Sequence, residues 1–315
     1  MPAEATAFLF SGQGAQHVGM GRELYEQVGE ARELVEAAEA TLGLPLRRYL
    51  FEGPESELRR TEVTQPTVLL VSLMALAAVR RRGLFATAAA GLSLGEYGAL
   101  VAGGALEPLE ALRLVHRRGQ LMQDAVPEGV GGMLAVVGLE DATVEALCRE
   151  AAEGVVEPAN YNCPGQVVLS GTLVALRAIE PRLRAAGARR TAWLEVSAPF
   201  HSSLMIPAGE RLRPELERVA FGPLSMPVAS NVTGGLYPPD SAVWRDLLVR
   251  QVSRPVRFRQ CVETLLGLGV RRFVELGPGT ALLGFVRRID HDALTLHVED
   301  RRSLEATLDL WEGVC

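Results

Sequence analysis

Apolar and polar positions along the first half of the chain predict short strands that alternate with helices. The apolar run Thr6–Phe10 has a strand-like pattern, and helical periods follow over Glu23–Leu42. The long apolar stretch Pro66–Val79 predicts a buried helix that opens at Pro66, because proline suits a first helical turn. The next predicted elements are a strand over Thr87–Ala90, a helix through Ala99 and a helix over Pro108–Gln123. This alternation favours a mostly parallel sheet covered by helices.

Residues 130–197 show a different order of elements. The predicted elements are the strand Gly132–Val137, the helix Asp141–Ala152, the strands Glu157–Tyr161 and Gln166–Ser170, the helix Leu173–Ala186 and the strand Arg190–Val196. This β-α-β-β-α-β order is that of a ferredoxin-like unit. We therefore predict a large α/β domain over residues 1–129 and 198–315 that carries a ferredoxin-like subdomain, 130–197, as an insertion. Because ligand sites favour domain interfaces, we expect an active-site cleft between the two.

Composition excludes several classes of protein. The 315 residues are 48% hydrophobic and 22% charged with a net charge of −6, which argues against disorder and against nucleic acid as a partner. All 32 basic residues are arginine, which excludes Schiff-base and P-loop lysines. The four cysteines, Cys148, Cys163, Cys261 and Cys315, are scattered without metal-ligand spacing, so we expect no metal site and a cytoplasmic location. The N-terminal residues lack the basic segment of a signal peptide, and Pro66–Val79 is shorter than the about 20 residues of a membrane-spanning helix. We therefore expect no membrane partner.

The strongest chemical signal is the segment Gly91–Gly95, which reads G-x-S-x-G between a predicted strand and a predicted helix. Such a turn is the nucleophile elbow of α/β-hydrolase-like domains, where it exposes a serine, here Ser93, above the sheet. The helix behind it directs main-chain N–H groups, that of Leu94 above all, at a developing oxyanion. The same five residues are also compatible with an ordinary glycine-rich turn.

A serine nucleophile needs a base, and the chain has five histidines: His17, His116, His201, His291 and His297. His201 lies where a loop leaves the predicted strand that ends near Val196, and catalytic residues favour such loops. Any single histidine is also compatible with a purely structural role. The need for a base selects His201 among the five.

Two further segments have open interpretations. The glycine loop Ser11–Gln16 is compatible with a phosphate cradle or with a second oxyanion donor, the main-chain N–H of Gln13. Arg118 is compatible with a solvated helix face or with a fork that holds a substrate carboxylate.

Taken in order, these segments resemble the malonyl-CoA:acyl-carrier-protein transacylases of fatty-acid synthesis and the acyltransferases of polyketide synthases. The resemblance covers nearly the whole chain. The matching segments are Phe10–Gly14, Thr64–Pro66, Gly91–Glu96, Arg118, Asn160–Gly171, His201, Ser230–Val232, Gln251–Val252 and Glu275–Gly279.

The resemblance implies a set of catalytic residues. Ser93 is the nucleophile and His201 the base, while the amides of Gln13 and Leu94 form the oxyanion hole. Arg118 binds the free carboxylate of the acyl group.

It also implies residues around the reaction. The main-chain carbonyl at Gln251 orients the histidine, with Asn162 and Asn231 in supporting positions. Leu92 and Phe200 line the acyl pocket, and Leu92 departs from the histidine that many members carry there. Since a bulky Phe200 crowds an α-methyl group, we expect malonyl to be preferred over methylmalonyl.

The implied reaction moves a malonyl group from CoA through an acyl-serine to the phosphopantetheine thiol of an acyl carrier protein. Malonyl-CoA is then a substrate, and we expect no bound cofactor and no metal. We also expect a free-standing enzyme that acts in trans, with a domain excised from a larger synthase as the alternative. The alternatives are a thioester hydrolase of the same fold, an acyltransferase for an unusual extender or acyl-carrier donor, and a non-catalytic docking module.

Overall fold

The computed structural model describes residues 5–196 and 198–312, and Ser197 and Cys315 lie outside these ranges. The strands are β1 Thr6–Phe10, β2 Ala88–Gly91, β3 Gly131–Val137, β4 Val156–Cys163, β5 Gln166–Thr172, β6 Arg190–Trp193, β7 Arg272–Leu276 and β8 Leu294–Val298. The helices are α1 Arg22–Gln27, α2 Gly29–Leu42, α3 Leu46–Phe51, α4 Glu55–Leu58, α5 Thr61–Arg81, α6 Gly95–Ala102, α7 Pro108–Gln123, α8 Asp141–Arg149, α9 Leu173–Ala185, α10 Ile206–Glu217, α11 Trp244–Gln251, α12 Phe258–Gly267, α13 Ala281–Ile289 and α14 Arg301–Glu312.

Contacts within the chain divide it into two compact units. Over the described residues, the first unit comprises 5–119, 219–229 and 262–312, and the second comprises 120–196, 198–218 and 230–261. The domain bounds inferred from sequence, at 129/130 and 197/198, stay a prediction.

The first unit is built on the parallel sheet that the sequence predicts. Its strand order is β2-β1-β7-β8, and all three strand pairs are parallel. The last residues of the four strands, Gly91, Phe10, Leu276 and Val298, stand in register. Because parallel strands here end together, the segments that follow them meet at one edge of the sheet, where open α/β sheets place their ligand sites.

The second unit contains the predicted β-α-β-β-α-β segment as an antiparallel sheet of order β4-β5-β3-β6. This is the strand order of a ferredoxin-like unit, so that prediction is confirmed. Its helices α8 and α9 share one apolar core with the sheet, and this core includes Leu134, Val144, Leu169, Leu176 and Leu183, all at most 1% exposed.

Helix α5 is the predicted buried helix, but its predicted start is wrong. It begins at Thr61, five residues before Pro66, because its first turn already closes on the carbonyl of Arg60. Pro66 therefore lies inside the helix, where it removes a main-chain hydrogen bond. Among the helices in the described ranges, α5 alone is long and apolar enough to cross a membrane, and 89% of that apolar window is buried inside the protein.

Several other predicted elements differ in extent, and two of the differences have a clear cause in the main chain. The helical pattern over Glu23–Leu42 forms two helices, since Val28 takes an extended conformation (φ −111°, ψ 112°) between α1 and α2. The predicted strand Arg190–Val196 ends at Trp193 because the chain turns there, with the N–H of Val196 donating to the carbonyl of Leu194 at 2.9 Å. Neither difference alters the order of elements.

Candidate active site

Ser93 lies in a sharp turn between β2 and α6, with φ of 53° in the left-handed region. Few residues other than glycine adopt this conformation, and it is the one that lifts a nucleophile out of a strand-to-helix turn. A Cβ atom on Gly95 would lie 2.0 Å from the carbonyl oxygen of Phe10, and one on Gly91 would lie 2.0 Å from the carbonyl carbon of Gly95. Only glycine fits at both positions because three backbone segments touch there. The geometry is therefore that of an elbow and not of an ordinary turn.

The two amides assigned to the oxyanion hole belong to neighbouring loops of the first unit. A Cβ atom on Gly12 would lie 2.8 Å from the carbonyl oxygen of Leu92, so the loop after β1 packs directly against the elbow. In the described part of the chain, the main-chain N–H groups of Gln13 and Leu94 donate to no protein acceptor. Leu94 precedes the first residue of α6, where N–H groups have no partner within the helix. Both amides thus remain available to an oxyanion.

Arg118 is buried on α7, with 1% of its surface exposed, so the interpretation as a solvated helix face is wrong. Its Nη1 donates to Oε1 of Gln65 at 2.8 Å, and its Nη2 donates to Oγ of Ser93 at 3.0 Å. Burial lowers the pKa of Arg118, while the nearby Tyr97 and Glu96 raise it. Because arginine is not deprotonated in proteins, the guanidinium stays charged beside the serine.

Sequence reasoning left Gln65 and Tyr97 out of the site. Gln65 belongs to the matching segment Thr64–Pro66, but a helix predicted to start at Pro66 gives no reason to direct its side chain inward. Tyr97 is buried on α6, and the guanidinium carbon of Arg118 lies 5.9 Å from its ring centroid. Burial, with the charge of Glu96, raises the pKa of Tyr97 to about 12 against the opposing effect of Arg118. The side chain of Tyr97 is therefore uncharged at physiological pH and packs near the guanidinium of Arg118.

His201 belongs to the second unit and is also held in an unusual conformation, with φ of 59° and 4% of its surface exposed. The ring atom Nδ1 lies 2.8 Å from the main-chain carbonyl oxygen of Gln251. The main-chain N–H of His201 donates to the carbonyl of Val252. Since a carbonyl only accepts, Nδ1 carries the proton and Nε2 is the basic nitrogen of the neutral ring. The main-chain carbonyl of Gln251 thus contacts the ring of His201, and its orienting role stays a prediction.

The loop that carries His201 is fixed by contacts that the sequence did not indicate. A Cβ atom on Gly131 would lie 2.5 Å from the ring of Pro199, and Oγ of Ser202 donates to the carbonyl of Pro199 at 2.7 Å. The N–H of Ser203 donates to the carboxylate of Glu157 at 2.6 Å. Pro199 and Ser203, on either side of His201, thus contact β3 and β4 of the antiparallel sheet.

The remaining predicted residues divide between the two units. Leu92 is half-buried in the elbow, and Phe200 is buried beside His201. Asn162 is buried on β4, and its Oδ1 has no hydrogen-bond partner among the described residues. Asn231 accepts from the N–H of Arg257 through its main-chain carbonyl.

Among the described residues, no group of three or more His, Cys, Asp or Glu could hold a metal ion. Cys148, Cys163 and Cys261 are free thiols.

Residues 7–300 match the family model described as "Acyl transferase domain". The chain belongs to this family. It is 40% identical over 304 residues to a malonyl CoA-acyl carrier protein transacylase of Bacillus subtilis, a match that covers 96% of each chain.

Solved structures of acyl transferases are similar to this chain over nearly its whole length. The malonyl CoA-acyl carrier protein transacylase of Clostridium perfringens has a TM-score of 0.95 at 41% identity over 98% of both chains. A malonyl-transacylase solved in complex with its type II polyketide synthase acyl-carrier protein has a TM-score of 0.94 at 38% identity, covering 98% of this chain and 100% of that one.

We expect Gly95→Ala to destabilise this acyl transferase by about 3 kcal/mol or more, because the added methyl group overlaps the carbonyl oxygen of Phe10. The matched control is Gly284→Ala in α13, where a Cβ atom meets nothing within 4 Å and should stabilise the helix by about 0.5–1 kcal/mol. Urea unfolding followed by circular dichroism measures both changes. Equal unfolding midpoints for the two variants would show that the elbow does not require glycine.

Proposed function

We propose that this acyl transferase is an [acyl-carrier-protein] S-malonyltransferase that moves a malonyl group from CoA to the phosphopantetheine thiol of an acyl carrier protein. The observation that carries the proposal is the buried Arg118, whose guanidinium reaches Oγ of Ser93 at 3.0 Å while Gln65 holds its other nitrogen. A buried arginine beside a nucleophile fits an acyl group that has its own carboxylate. The names of the relatives at about 40% identity support the same substrate.

In the first half-reaction, Oγ of Ser93 attacks the thioester carbon of malonyl-CoA and gives its proton to Nε2 of His201. The carbonyl oxygen becomes an oxyanion that the N–H groups of Gln13 and Leu94 stabilise. The C–S bond then breaks, the proton on Nε2 passes to the CoA sulfur, and the malonyl group remains as an ester on Ser93. The hydrogen bond from Nδ1 to Gln251 keeps the ring in the tautomer that this transfer needs.

In the second half-reaction, the phosphopantetheine thiol attacks the malonyl-serine ester and gives its proton to Nε2 of His201. The same two amides stabilise the second oxyanion. The C–O bond breaks, Oγ of Ser93 recovers its proton from the imidazolium, and malonyl-carrier protein is released. The two half-reactions use the same groups in the same roles because both exchange an oxygen ester and a thioester.

Arg118 acts on the end of the acyl group away from the thioester. Its planar fork can bind the malonyl carboxylate through two parallel hydrogen bonds, and the anchor to Gln65 fixes the plane of that fork. Because the site is buried, the ion pair is stronger than at a solvated surface. A monoacyl group such as acetyl gains nothing from this charge, so Arg118 favours dicarboxyl acyl groups.

The partners of this reaction are acyl-CoA and a phosphopantetheinylated acyl carrier protein, and we propose neither nucleic acid nor membrane as a partner. The proposed chemistry uses malonyl-CoA as substrate and no bound cofactor. Free thiols at Cys148, Cys163 and Cys261 support a reducing, cytoplasmic location. The relative solved with its carrier protein supports the choice of partner.

Ser93→Ala should abolish acyl transfer, because no other oxygen takes the place of the nucleophile. Intact-mass spectrometry after mixing with malonyl-CoA should show one malonyl adduct on the wild type and none on the variant. The control Ser225→Ala removes a hydroxyl that donates to the carbonyl of Gly103 and should load fully.

A Ser93→Ala protein that still gains a malonyl group contradicts the assignment. Addition of holo-carrier protein to the loaded wild type distinguishes a transferase from a thioester hydrolase of the same fold. Malonyl-carrier product supports the transferase, whereas free malonate without product indicates a hydrolase.

Arg118→Lys should lower kcat/KM for malonyl-CoA by about 10- to 100-fold, since one ammonium group cannot replace two hydrogen bonds to a carboxylate. The rate with acetyl-CoA should change little, so the ratio of the two specificity constants reports the carboxylate contact. Arg113→Lys on the same helix is the matched control, because Arg113 pairs with Glu110 at 37% side-chain exposure. An equal loss for both CoA esters would contradict the proposed role.

Phe200→Ser should raise the preference for methylmalonyl-CoA relative to malonyl-CoA by about tenfold, because the smaller side chain admits the α-methyl group. A methyl-sized difference is worth about 1–3 kcal/mol, which bounds the effect. Phe85→Ser, at a ring that is 65% exposed, is the control and should leave the ratio unchanged. Competition between the two CoA esters gives the ratio directly, and an unchanged ratio in Phe200→Ser removes Phe200 from the acyl pocket.

A further inference from the structure

Glu275 is a buried acid in β7, with 1% of its surface exposed. Its Oε1 accepts from the N–H of Leu282 at 3.3 Å, and its Oε2 accepts from the N–H of Leu283 at 3.1 Å. These are the second and third residues of α13, and the side chain of Thr280 at the N-cap makes no capping hydrogen bond. The carboxylate of a neighbouring strand thus takes the place of a local helix cap.

The same carboxylate reaches Ser11, which is 2% exposed. Oγ of Ser11 lies 3.2 Å from Oε1 of Glu275 and 3.1 Å from the carbonyl oxygen of Pro278. A hydroxyl has one proton and two lone pairs, so it can donate to the carboxylate or donate to Pro278 while accepting from a protonated carboxyl group. Either arrangement keeps Ser11 joined to the end of β7.

Both arrangements are accessible near neutral pH. Burial raises the pKa of Glu275 to about 7, and the charge of Glu299 acts in the same direction. The hydrogen bonds from Leu283, Leu282 and Ser11 oppose this shift. The hydrogen bond between Glu275 and Ser11 therefore forms whether or not the carboxyl group of Glu275 is protonated.

Ser11 is the first residue of the loop that leads to Gln13. Its carbonyl oxygen would lie 2.9 Å from a Cβ atom on Gly95, and its Oγ would lie 3.3 Å from one on Gly277, whose φ is 117°. Gly12, the next residue, packs against Leu92. Ser11 is thus enclosed by the elbow on one side and by the turn after β7 on the other.

We propose that Glu275 is a positioning residue for the oxyanion hole, and that it acts through Ser11 to fix the main chain of Gly12–Gln13. This inference rests on the proposed function, because it assigns a task to the N–H of Gln13. A residue that only caps α13 would stabilise the fold without affecting the transition state. The two roles therefore differ in what Ser11 contributes to the rate.

We expect Ser11→Ala to lower kcat for malonyl loading about tenfold, a part of the roughly 10²–10³-fold that removal of an oxyanion donor costs. KM for malonyl-CoA should stay within about twofold, since the oxyanion contact forms in the transition state and not with bound substrate. Glu275→Leu should lower kcat to a similar extent. Glu275→Gln should retain most of the activity, because its amide nitrogen can donate to Ser11 while its oxygen accepts from the N–H of Leu283, with only the contact to Leu282 lost.

The double variant Ser11→Ala/Glu275→Leu decides between the two roles. If Glu275 acts through Ser11, the double variant has the kcat of Ser11→Ala alone, while its melting temperature falls further because the cap of α13 is lost. Multiplied losses in kcat, or full kcat in Ser11→Ala, would overturn the proposal. If the Glu275→Leu proteins do not fold, Ser11→Ala and Glu275→Gln still test it.

Thr307→Val is the matched control, because it removes a buried hydroxyl that donates to a main-chain carbonyl, that of His297 at 2.9 Å, outside the proposed site. It should lower the melting temperature with no loss of kcat. Loading of the wild type with malonyl-CoA distinguishes failure of the positioning role from failure of the proposed function. Wild type that loads with no effect of Ser11→Ala overturns the positioning role alone, whereas wild type that never loads overturns the proposed function as well.

Discussion

The close approach of two backbones, the end of β1 and the start of α6, is the constraint on which the first unit depends. Gly95 lies so near the carbonyl oxygen of Phe10 that no Cβ atom fits. This contact forces the chain between β2 and α6 through a tight turn, and the turn places Ser93 in the left-handed region. Such a conformation costs about 1–3 kcal/mol and persists because the packed parallel sheet on one side and the helix on the other hold it. The position of the Ser93 hydroxyl beside Arg118 and the available N–H of Leu94 are consequences of the same geometry.

Two buried charged groups of the first unit meet the cost of burial in different ways. Arg118 stays protonated and is compensated by Gln65, by Ser93 and by the face of Tyr97. Glu275 has three hydrogen-bond donors, yet burial still raises its pKa to about 7. The difference follows from chemistry, because a carboxyl group can take up a proton near pH 7 and a guanidinium cannot lose one. A permanent charge thus stands where we propose that a substrate carboxylate binds, and a group that can gain or lose a proton stands where we propose a positioning role.

Local patterns in the sequence predicted β1, the order of elements in the antiparallel sheet and the elbow around Ser93, since each has its signal within a few consecutive residues. Contacts between distant segments were beyond such reasoning. Gln65 and Arg118 are 53 residues apart, and Ser11 and Glu275 are 264 apart. The acceptor for His201 is the main-chain carbonyl of Gln251, an atom that every residue has, so only the resemblance to a family pointed to that position. Helix α5 begins five residues before the predicted start because its first turn closes on the carbonyl of Arg60. The preference of proline for a first helical turn could not reveal that contact.

A carbonyl behind the histidine has a consequence for a transferase. An aspartate in that position adds a full negative charge that stabilises the imidazolium, whereas the Gln251 carbonyl offers only a dipole. The proposed reaction asks His201 to take up and return a proton in each half, and it begins and ends with thioesters of similar energy. An orienting group that fixes the tautomer without strongly favouring the charged ring suits both directions of transfer. The neutral acceptor at Gln251 therefore suits a reversible exchange between two thioesters. The left-handed main chain of His201, whose N–H donates to the carbonyl of Val252, holds the ring near that acceptor.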